Sequence, residues 1–173
     1  MSLFCYEPPA LPEVLRQAAA SATPSQWLVT RGRAWQAVQA AGSTNAGDAV
    51  SALPLLSQRD FDHLLWACDL NFVRGEDSLA RALWAGQPFV WHIYPQHDDA
   101  HHAKLEAFLD WLQAPPSLRA FHRAWNGIGT VPAVWPDAAA LGEWRGCVQA
   151  ARTRLLAQAD LASQLIGFVQ EKR

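Results

Sequence analysis

The sequence predicts an α/β fold: a Rossmann-like parallel sheet flanked by helices, with a helical carboxyl-terminal region. Short apolar runs alternate with helical patterns up to about residue 95, and the pattern beyond is helical. Parallel neighbouring strands need crossover connections, which helices supply. The chain has 173 residues, half of them hydrophobic, which is enough for one domain with its own core.

The predicted elements alternate along the first half of the chain. The predicted strands are Leu3 to Tyr6, Gln26 to Thr30, Ala49 to Leu56, Asp69 to Val73 and Pro88 to Ile93. The predicted helices are Pro9 to Ala20, Phe61 to Cys68, Asp77 to Ala85, Ala103 to Leu112, Ser117 to Trp125, Asp137 to Ala159 and Leu161 to Glu171. Gly86 follows the third helix and suits the left-handed turn that ends many helices.

Charge and cysteine content argue against several function classes. The 14 basic and 16 acidic residues leave a formal net charge of −2, without the basic surface that nucleic-acid binding needs. No apolar run approaches the roughly 20 residues of a membrane-spanning helix. The three cysteines lie far apart, with no metal-ligand spacing. We therefore expect a cytoplasmic protein with reduced thiols and neither a nucleic-acid nor a membrane partner.

Tryptophan is abundant, with nine residues in the chain. Most of them are expected in the core. An excess over what one small core can hold would leave an apolar patch, as on the face between two domains. Together with a strand that starts near Leu3, this composition favours a chain that is part of a longer, two-domain protein.

The loop after the fourth predicted strand offers the most chemistry. It reads Arg74-Gly75-Glu76-Asp77-Ser78, and ligands bind beyond the carboxyl ends of strands in such sheets. Gly75 permits a close backbone approach, and Asp77 or Ser78 could cap a helix whose free N–H groups hold a phosphate. Arg74 could bind an anion in bidentate fashion, and Glu76 could accept hydrogen bonds from sugar hydroxyls. A capped helix with a surface pair of Arg74 and Glu76 explains the loop equally well.

Aromatic residues lie near the ends of two other predicted strands. Tyr94 follows the fifth strand, where a nucleotide base could stack. The alternative is that Trp91 and Ile93 belong to the core and Tyr94 only turns the chain. Phe4 and Tyr6 share one face of the first strand, so Phe4 is expected in the core and Tyr6 at the carboxyl end.

Two further clusters suggest chemistry more weakly. His97 and His101, beside His102, would form an i, i+4 zinc-binding pair on a helix, but no third spaced ligand accompanies them. Asp60 and Asp62 resemble the paired aspartates of phosphatases, although three residues separate them from the preceding strand. Dinucleotide-binding, Walker A and nucleophile-elbow motifs do not occur in the sequence.

The stretch from Phe61 to Gln96 resembles a known family. It contains FDHLLWACDLNFVRGEDS and then ALWAGQPFVWHIYPQ. Both runs closely resemble the EarP family, which comprises the bacterial protein-arginine rhamnosyltransferases that act on translation elongation factor P. The opening residues SLFCYE also resemble the start of that family's carboxyl-terminal domain, so the resemblance covers essentially the whole chain.

The resemblance implies a metal-independent, inverting glycosyltransferase of the two-domain GT-B type. Such an enzyme moves rhamnose from dTDP-β-L-rhamnose to one arginine of elongation factor P, and no cofactor is expected. Residues 1–173 would form a single nucleotide-sugar-binding domain. The amino-terminal acceptor domain, with the general base and most of the contacts to elongation factor P, would lie outside this chain. We therefore expect the chain alone to transfer no rhamnose.

The resemblance also implies the site residues. Glu76 matches a residue needed for activity, and it is expected to orient rhamnose or stabilise charge at the reacting centre. Gln58 would face the thymine. The other matched nucleotide-sugar positions are Tyr6, Arg74, Gly75, Asp77, Ser78 and Tyr94. Leu55 stands where the family often has phenylalanine, so stacking on thymine is lost there or supplied from elsewhere.

Two other classes of function remain open. A non-catalytic interaction domain would reuse this sheet, dock a protein through its tryptophan-bearing face and bind no nucleotide. A phosphatase built on Asp60 and Asp62 would need Mg²⁺.

Overall fold

The computed structural model describes residues 1–42, 49–96 and 100–172, and it confirms the predicted α/β fold. The sheet is entirely parallel, with strand order β3-β2-β1-β4-β5. The strands are β1 (Ser2–Leu3), β2 (Trp27–Val29), β3 (Val50–Ala52), β4 (Asn71–Arg74) and β5 (Phe89–His92). The helices are α1 (Leu11–Ala20), α2 (Arg33–Ala40), α3 (Gln58–Ala67), α4 (Gly75–Ala85), α5 (Ala100–Leu112), α6 (Pro116–Trp125), α7 (Ala138–Leu156) and α8 (Leu161–Glu171).

The structure adds one helix that the sequence analysis missed. Helix α2 follows β2 and buries Ala34, Ala37 and Val38, the i, i+3, i+4 spacing of a helix face. Small alanines and a length of eight residues made this stripe inconspicuous. The predicted left-handed turn is confirmed at Gly86, whose φ is 74°.

The strand order creates a crevice between β1 and β4. The chain moves outward from β1 to β2 and β3, then returns to the other side of β1 with β4. In open sheets of this kind, ligands bind where the strand order reverses. Leu3 lies opposite Phe72 in the register, so the residues that follow the two strands lie side by side.

Buried Asn71 ties three elements together at the amino ends of β1 and β4. Its Oδ1 accepts a hydrogen bond from the Ser2 hydroxyl at 2.5 Å, and its Nδ2 donates to the Leu65 carbonyl at 3.0 Å. The bonds therefore link β1, β4 and α3. Asn71 is fully buried, where an unpaired amide would cost about 1–3 kcal/mol.

Aromatic side chains form much of the core. Phe72 lies 4.5 Å from the Trp125 ring and 5.5 Å from the Trp27 ring, measured between centroids. Six of the nine tryptophans lie in or against the core, as expected: Trp27, Trp35, Trp91, Trp125, Trp135 and Trp144. The exposed ones are Trp66, Trp84 and Trp111. Helix α8 buries none of its residues and exposes Leu161, Leu165, Ile166, Phe168 and Val169.

Two side chains near the end of α6 form hydrogen bonds with the backbone groups at the outer edge of the sheet. Strand β5 is fully buried, yet among the described strands its one neighbour is β4. His122 Nε2 accepts a hydrogen bond from the Trp91 N–H at 3.0 Å, while its Nδ1 lies 3.0 Å from the Leu118 carbonyl. Asn126 accepts from the Ile93 N–H at 2.9 Å and donates to the Trp91 carbonyl at 2.9 Å. These two side chains replace a sixth strand, which would otherwise be needed to pair the buried backbone groups.

We expect the free energy of unfolding to fall as the pH drops from about 6.5 to about 4. Burial lowers the pKa of His122 from 6.5 to about 4, so the folded state resists a proton that the unfolded chain accepts. The stabilisation from the neutral ring is fully present above the unfolded pKa and is lost progressively below it, by about 2 kcal/mol at pH 5. Urea unfolding at pH 7 and pH 5 measures this loss.

The variants His122→Gln and His63→Gln separate the contribution of His122 to this pH dependence from that of the other histidines. His122→Gln should lower stability at pH 7, because the Trp91 N–H loses its acceptor, and should show a smaller difference between pH 7 and pH 5. Exposed His63 is the matched control, and His63→Gln should keep the original pH dependence. An equal pH dependence in all three proteins would contradict the assignment.

Candidate functional site

The candidate site lies at the carboxyl ends of β1 and β4. Arg74, the last residue of β4, places its guanidinium 4.4 Å from the Phe4 ring centroid and 4.7 Å from that of Tyr6. Its Nη1 donates to the Cys5 carbonyl at 3.4 Å. Cation–π contacts with two rings fix the direction of this charge. Phe4 was expected in the core, but β1 ends at Leu3, and half-buried Phe4 instead lines a cleft.

Helix α4 begins at Gly75, earlier than predicted. The φ of Gly75 is 71°, a left-handed value that favours glycine, and a Cβ there would lie 3.8 Å from the Tyr6 hydroxyl. Arg74 occupies the N-cap position and makes no capping bond with its side chain. The expectation that Asp77 or Ser78 caps the helix is therefore wrong, since both lie inside its first turn. The first N–H groups of a helix have no partner within the helix, and this helix starts beside the Tyr6 hydroxyl.

Both acidic residues in the first turn of α4 are held by cations, one from α5 and one from α4 itself. Lys104 of α5 donates to Glu76 Oε1 at 2.6 Å. This bond lowers the pKa of the Glu76 carboxyl, so Glu76 is ionised at neutral pH. Arg81 bonds Asp77 at 2.9 Å and Asp62 at 2.9 Å. The surface pair of Arg74 and Glu76 considered above is wrong, because each of the two has other partners.

Tyr6 is the centre of an aromatic and cationic cluster. Its ring lies 5.1 Å from His92 and 5.7 Å from Tyr94, measured between centroids. Arg33, the first residue of α2, lies 4.9 Å from the same ring centroid and forms a bidentate ion pair with Glu7. Burial lowers the pKa of His92 to about 4, and its Nδ1 accepts a hydrogen bond from the Tyr6 N–H at 3.3 Å. Tyr94 is 58% exposed, so its ring is open to a ligand.

A cleft of about 280 Å³ lies between Phe4, whose ring contacts Arg74, and the start of α3. Gln58, the first residue of α3, lines it together with Ser78 of α4. Ser57 caps α3 by accepting a hydrogen bond from the Asp60 N–H at 3.2 Å. Leu55 lines the same cleft and is 85% exposed. A larger cavity of about 640 Å³ lies near the amino ends of β2 and β3 and contains none of the predicted site residues.

The structure thus brings the predicted site residues to the edge of the sheet formed by the carboxyl ends of its strands. Tyr6, Tyr94, Arg74 and the first turn of α4 surround the crevice, and Gln58 lies along the adjoining cleft. Sequence analysis missed Arg33 and Lys104. Arg33 begins the helix that was not predicted, and Lys104 lies far from Glu76 in sequence, so no local pattern could have found them.

The weaker clusters do not form sites of their own. Asp60 and Asp62 lie within α3 rather than at a strand end, and Asp62 pairs with Arg81. His97 lies outside the described residues. His101 Nδ1 accepts a hydrogen bond from the Gln96 N–H at 3.1 Å. Within residues 1–42, 49–96 and 100–172, no group of three potential metal ligands comes together, and no described helix is long and apolar enough to span a membrane.

Comparisons with known proteins agree on one family. The family model for the Elongation-Factor P (EF-P) rhamnosyltransferase EarP matches residues 1–170. The protein-arginine rhamnosyltransferases of Pseudomonas aeruginosa and Pseudomonas putida are 43% and 42% identical to the chain, over 97% of it and 49% of their own length.

A solved structure from work on EarP-mediated arginine glycosylation of translation elongation factor EF-P is also similar. It aligns with a TM-score of 0.79 and 37% identity, over 99% of this chain and 60% of that chain. The chain thus spans about half the length of the curated relatives it matches.

We expect the substitution Lys104→Met to raise the pKa of the Glu76 carboxyl toward its usual value of about 4.3. The bond from Lys104 is the main cause of the lowered pKa. Carbon-detected NMR titration of the Glu76 side chain measures the change. Lys172→Met is the matched control, because Lys172 follows α8. An unchanged Glu76 titration in Lys104→Met would contradict the assignment.

Proposed function

Because the chain belongs to the EarP family of elongation factor P rhamnosyltransferases, we propose that it forms the donor-binding domain of such an enzyme. The donor is dTDP-β-L-rhamnose, and the acceptor of the complete enzyme is an arginine of elongation factor P. The domain is one half of an inverting, two-domain GT-B glycosyltransferase in the cytoplasm. The proposal includes no nucleic-acid or membrane partner.

The observation that carries this proposal is the continuity between the cleft at Gln58 and the first turn of α4. Ser78 lies in that turn and also lines the cleft. A thymine beside Gln58 therefore places its diphosphate at the amino end of α4. Free N–H groups and the helix dipole bind a phosphate there, and Arg74 adds a fixed cation on one side of it.

These groups stabilise the charge that develops during transfer. The bond between the anomeric carbon and the diphosphate oxygen breaks, and the leaving diphosphate gains negative charge that Arg74 and the α4 amides stabilise. Ionised Glu76 accepts hydrogen bonds from rhamnose hydroxyls and faces the positive charge that develops on the sugar ring. No metal is part of the proposal, since the arginine and the helix terminus supply the positive charge.

Removing a proton from the acceptor guanidinium needs a general base. The guanidinium pKa exceeds about 12, so a positioned carboxylate must take up the proton. Four carboxylates around the crevice form ion pairs in the described part of the chain: Glu7 with Arg33, Asp62 and Asp77 with Arg81, and Glu76 with Lys104. The proposal assigns the base to the amino-terminal acceptor domain, as the family resemblance implies.

We expect calorimetric titration to show that the chain binds TDP more tightly than UDP or GDP. Gln58→Ala should weaken TDP binding by about tenfold, because the base loses its polar contact. Exposed Gln170 on α8 is the matched control, and Gln170→Ala should leave the affinity unchanged. Equal binding of all three nucleotides would refute thymine recognition, and no nucleotide binding at all would favour the interaction-domain alternative.

We expect Glu76 to contribute to binding of the rhamnose part of the donor and not of its nucleotide part. We expect Glu76→Gln to weaken binding of dTDP-rhamnose while leaving TDP affinity unchanged, because the carboxylate is assigned to the sugar hydroxyls. Calorimetry with both ligands measures the difference. Equal weakening of both ligands would contradict the assignment to the sugar.

We also expect the chain alone to transfer no rhamnose to elongation factor P, because the proposal assigns the general base to the amino-terminal domain, outside this chain. Mass spectrometry of elongation factor P after incubation with dTDP-rhamnose and the chain measures this directly. A full-length relative, such as the Pseudomonas aeruginosa protein, is the positive control. An added rhamnose mass with the chain alone would show that a base lies within it.

A further inference from the structure

We propose that Arg33 is a further diphosphate-binding residue and that its ion pair with Glu7 opens when the donor binds. This inference rests on the proposed donor site, because it assigns a second cation to the same diphosphate. The family resemblance assigns no role to Arg33.

The position of Arg33 supports this role. Gly32, with a φ of 85°, turns the chain after β2, and Arg33 then begins α2 at the same sheet edge as Arg74. The Arg33 guanidinium lies 4.9 Å from the Tyr6 ring centroid, and the Arg74 guanidinium lies 4.7 Å from it. The two cations thus share one aromatic ring, whose hydroxyl is next to Gly75 at the start of α4.

Positive and negative groups nearly balance around the crevice and its cleft before the diphosphate arrives. The cations are Arg31, Arg33, Arg74, Arg81 and Lys104, and the carboxylates are Glu7, Asp62, Glu76 and Asp77. A diphosphate adds two or more negative charges to this set. Arg33 can become a charged partner of the anion only if Glu7 releases its two donors.

The pair of Glu7 and Arg33 can open at little cost. Both side chains are about half exposed, at 53% and 50%, and exposed ion pairs contribute little stability, about 0–1 kcal/mol. Arg81 is more buried and joins Asp62 of α3 to α4, so releasing it would loosen two packed helices. Lys104 holds Glu76, which the proposed function assigns to the sugar.

Glu7 occupies the donors that a phosphate would use. Arg33 Nε donates to Glu7 Oε1 at 2.7 Å, and Nη2 bonds Oε2. This pair of parallel donors is the fork with which arginine binds phosphate in bidentate fashion. Carboxylate and phosphate therefore compete for the same atoms, and Glu7 also repels the anion while it remains in place.

Two titrations test whether Glu7 and the diphosphate compete for Arg33: calorimetry with TDP, and NMR with millimolar thymidine. Arg33→Gln should weaken TDP binding by about tenfold and leave thymidine binding unchanged, because thymidine carries no phosphate. Glu7→Gln should tighten TDP binding several-fold. Arg33→Lys keeps the charge but loses the fork, so its TDP affinity should lie between those of the unmodified chain and Arg33→Gln.

The pair of Glu13 and Arg16 on α1 is the matched control. It is also bidentate and exposed, so Glu13→Gln and Arg16→Gln should change neither titration. TDP binding that is unaffected by Arg33→Gln, or weakened by Glu7→Gln, overturns this inference and leaves the donor site standing. Equal loss of TDP and thymidine in Arg33→Gln overturns the assignment to the diphosphate. If the unmodified chain does not bind TDP, the proposed function and this inference both fail.

Discussion

The register between β1 and β4 is the constraint on which the site depends. Leu3 lies opposite Phe72, and the Phe4 N–H donates to the Phe72 carbonyl at 2.9 Å. Strand β1 ends there and β4 continues two residues further, to Arg74, so this register brings Tyr6 level with Gly75 at the start of α4. A slip of one residue would turn every side chain of β1 to the other face. Asn71 opposes such a slip, because its buried amide bonds match only this alignment.

The proposed anion site lies at a helix start that carries two acidic residues, and a cation compensates each of them. Glu76 and Asp77 would repel a diphosphate if they were unpaired. Lys104 of α5 and Arg81 of α4 itself hold them instead, in directions set by hydrogen bonds. Among the described residues, Arg74 contacts the Cys5 carbonyl and the rings of Phe4 and Tyr6, and none of these groups is a carboxylate. The candidate site is thus a set of oriented charges with little net charge, so the proposed selectivity rests on their orientation rather than on excess charge.

Local patterns predicted the fold and part of the site, and tertiary contacts determined the rest. The strands and the 74–78 loop were predictable because short apolar runs, and a glycine among charged residues after such a run, are local signals. The start of α4 was not, since its early beginning depends on the left-handed Gly75 next to Tyr6. Phe4 was misplaced because the strand that was to bury it ends at Leu3. Lys104 and Arg33 reach their partners because of the order of the strands in the sheet. That order cannot be read from any short stretch of sequence.

Trp91 connects the stability of the fold to the geometry of Glu76. Its backbone N–H and carbonyl are held by His122 and Asn126 of α6. Its indole N–H donates to the Gly75 carbonyl at 3.0 Å, and Lys104 Nζ lies 5.9 Å from its ring centroid. One buried side chain therefore supports both the residue before Glu76 and the cation that holds its carboxylate. Protonating His122 removes the acceptor for the Trp91 N–H, so the same event that destabilises the core also loosens the support of Glu76.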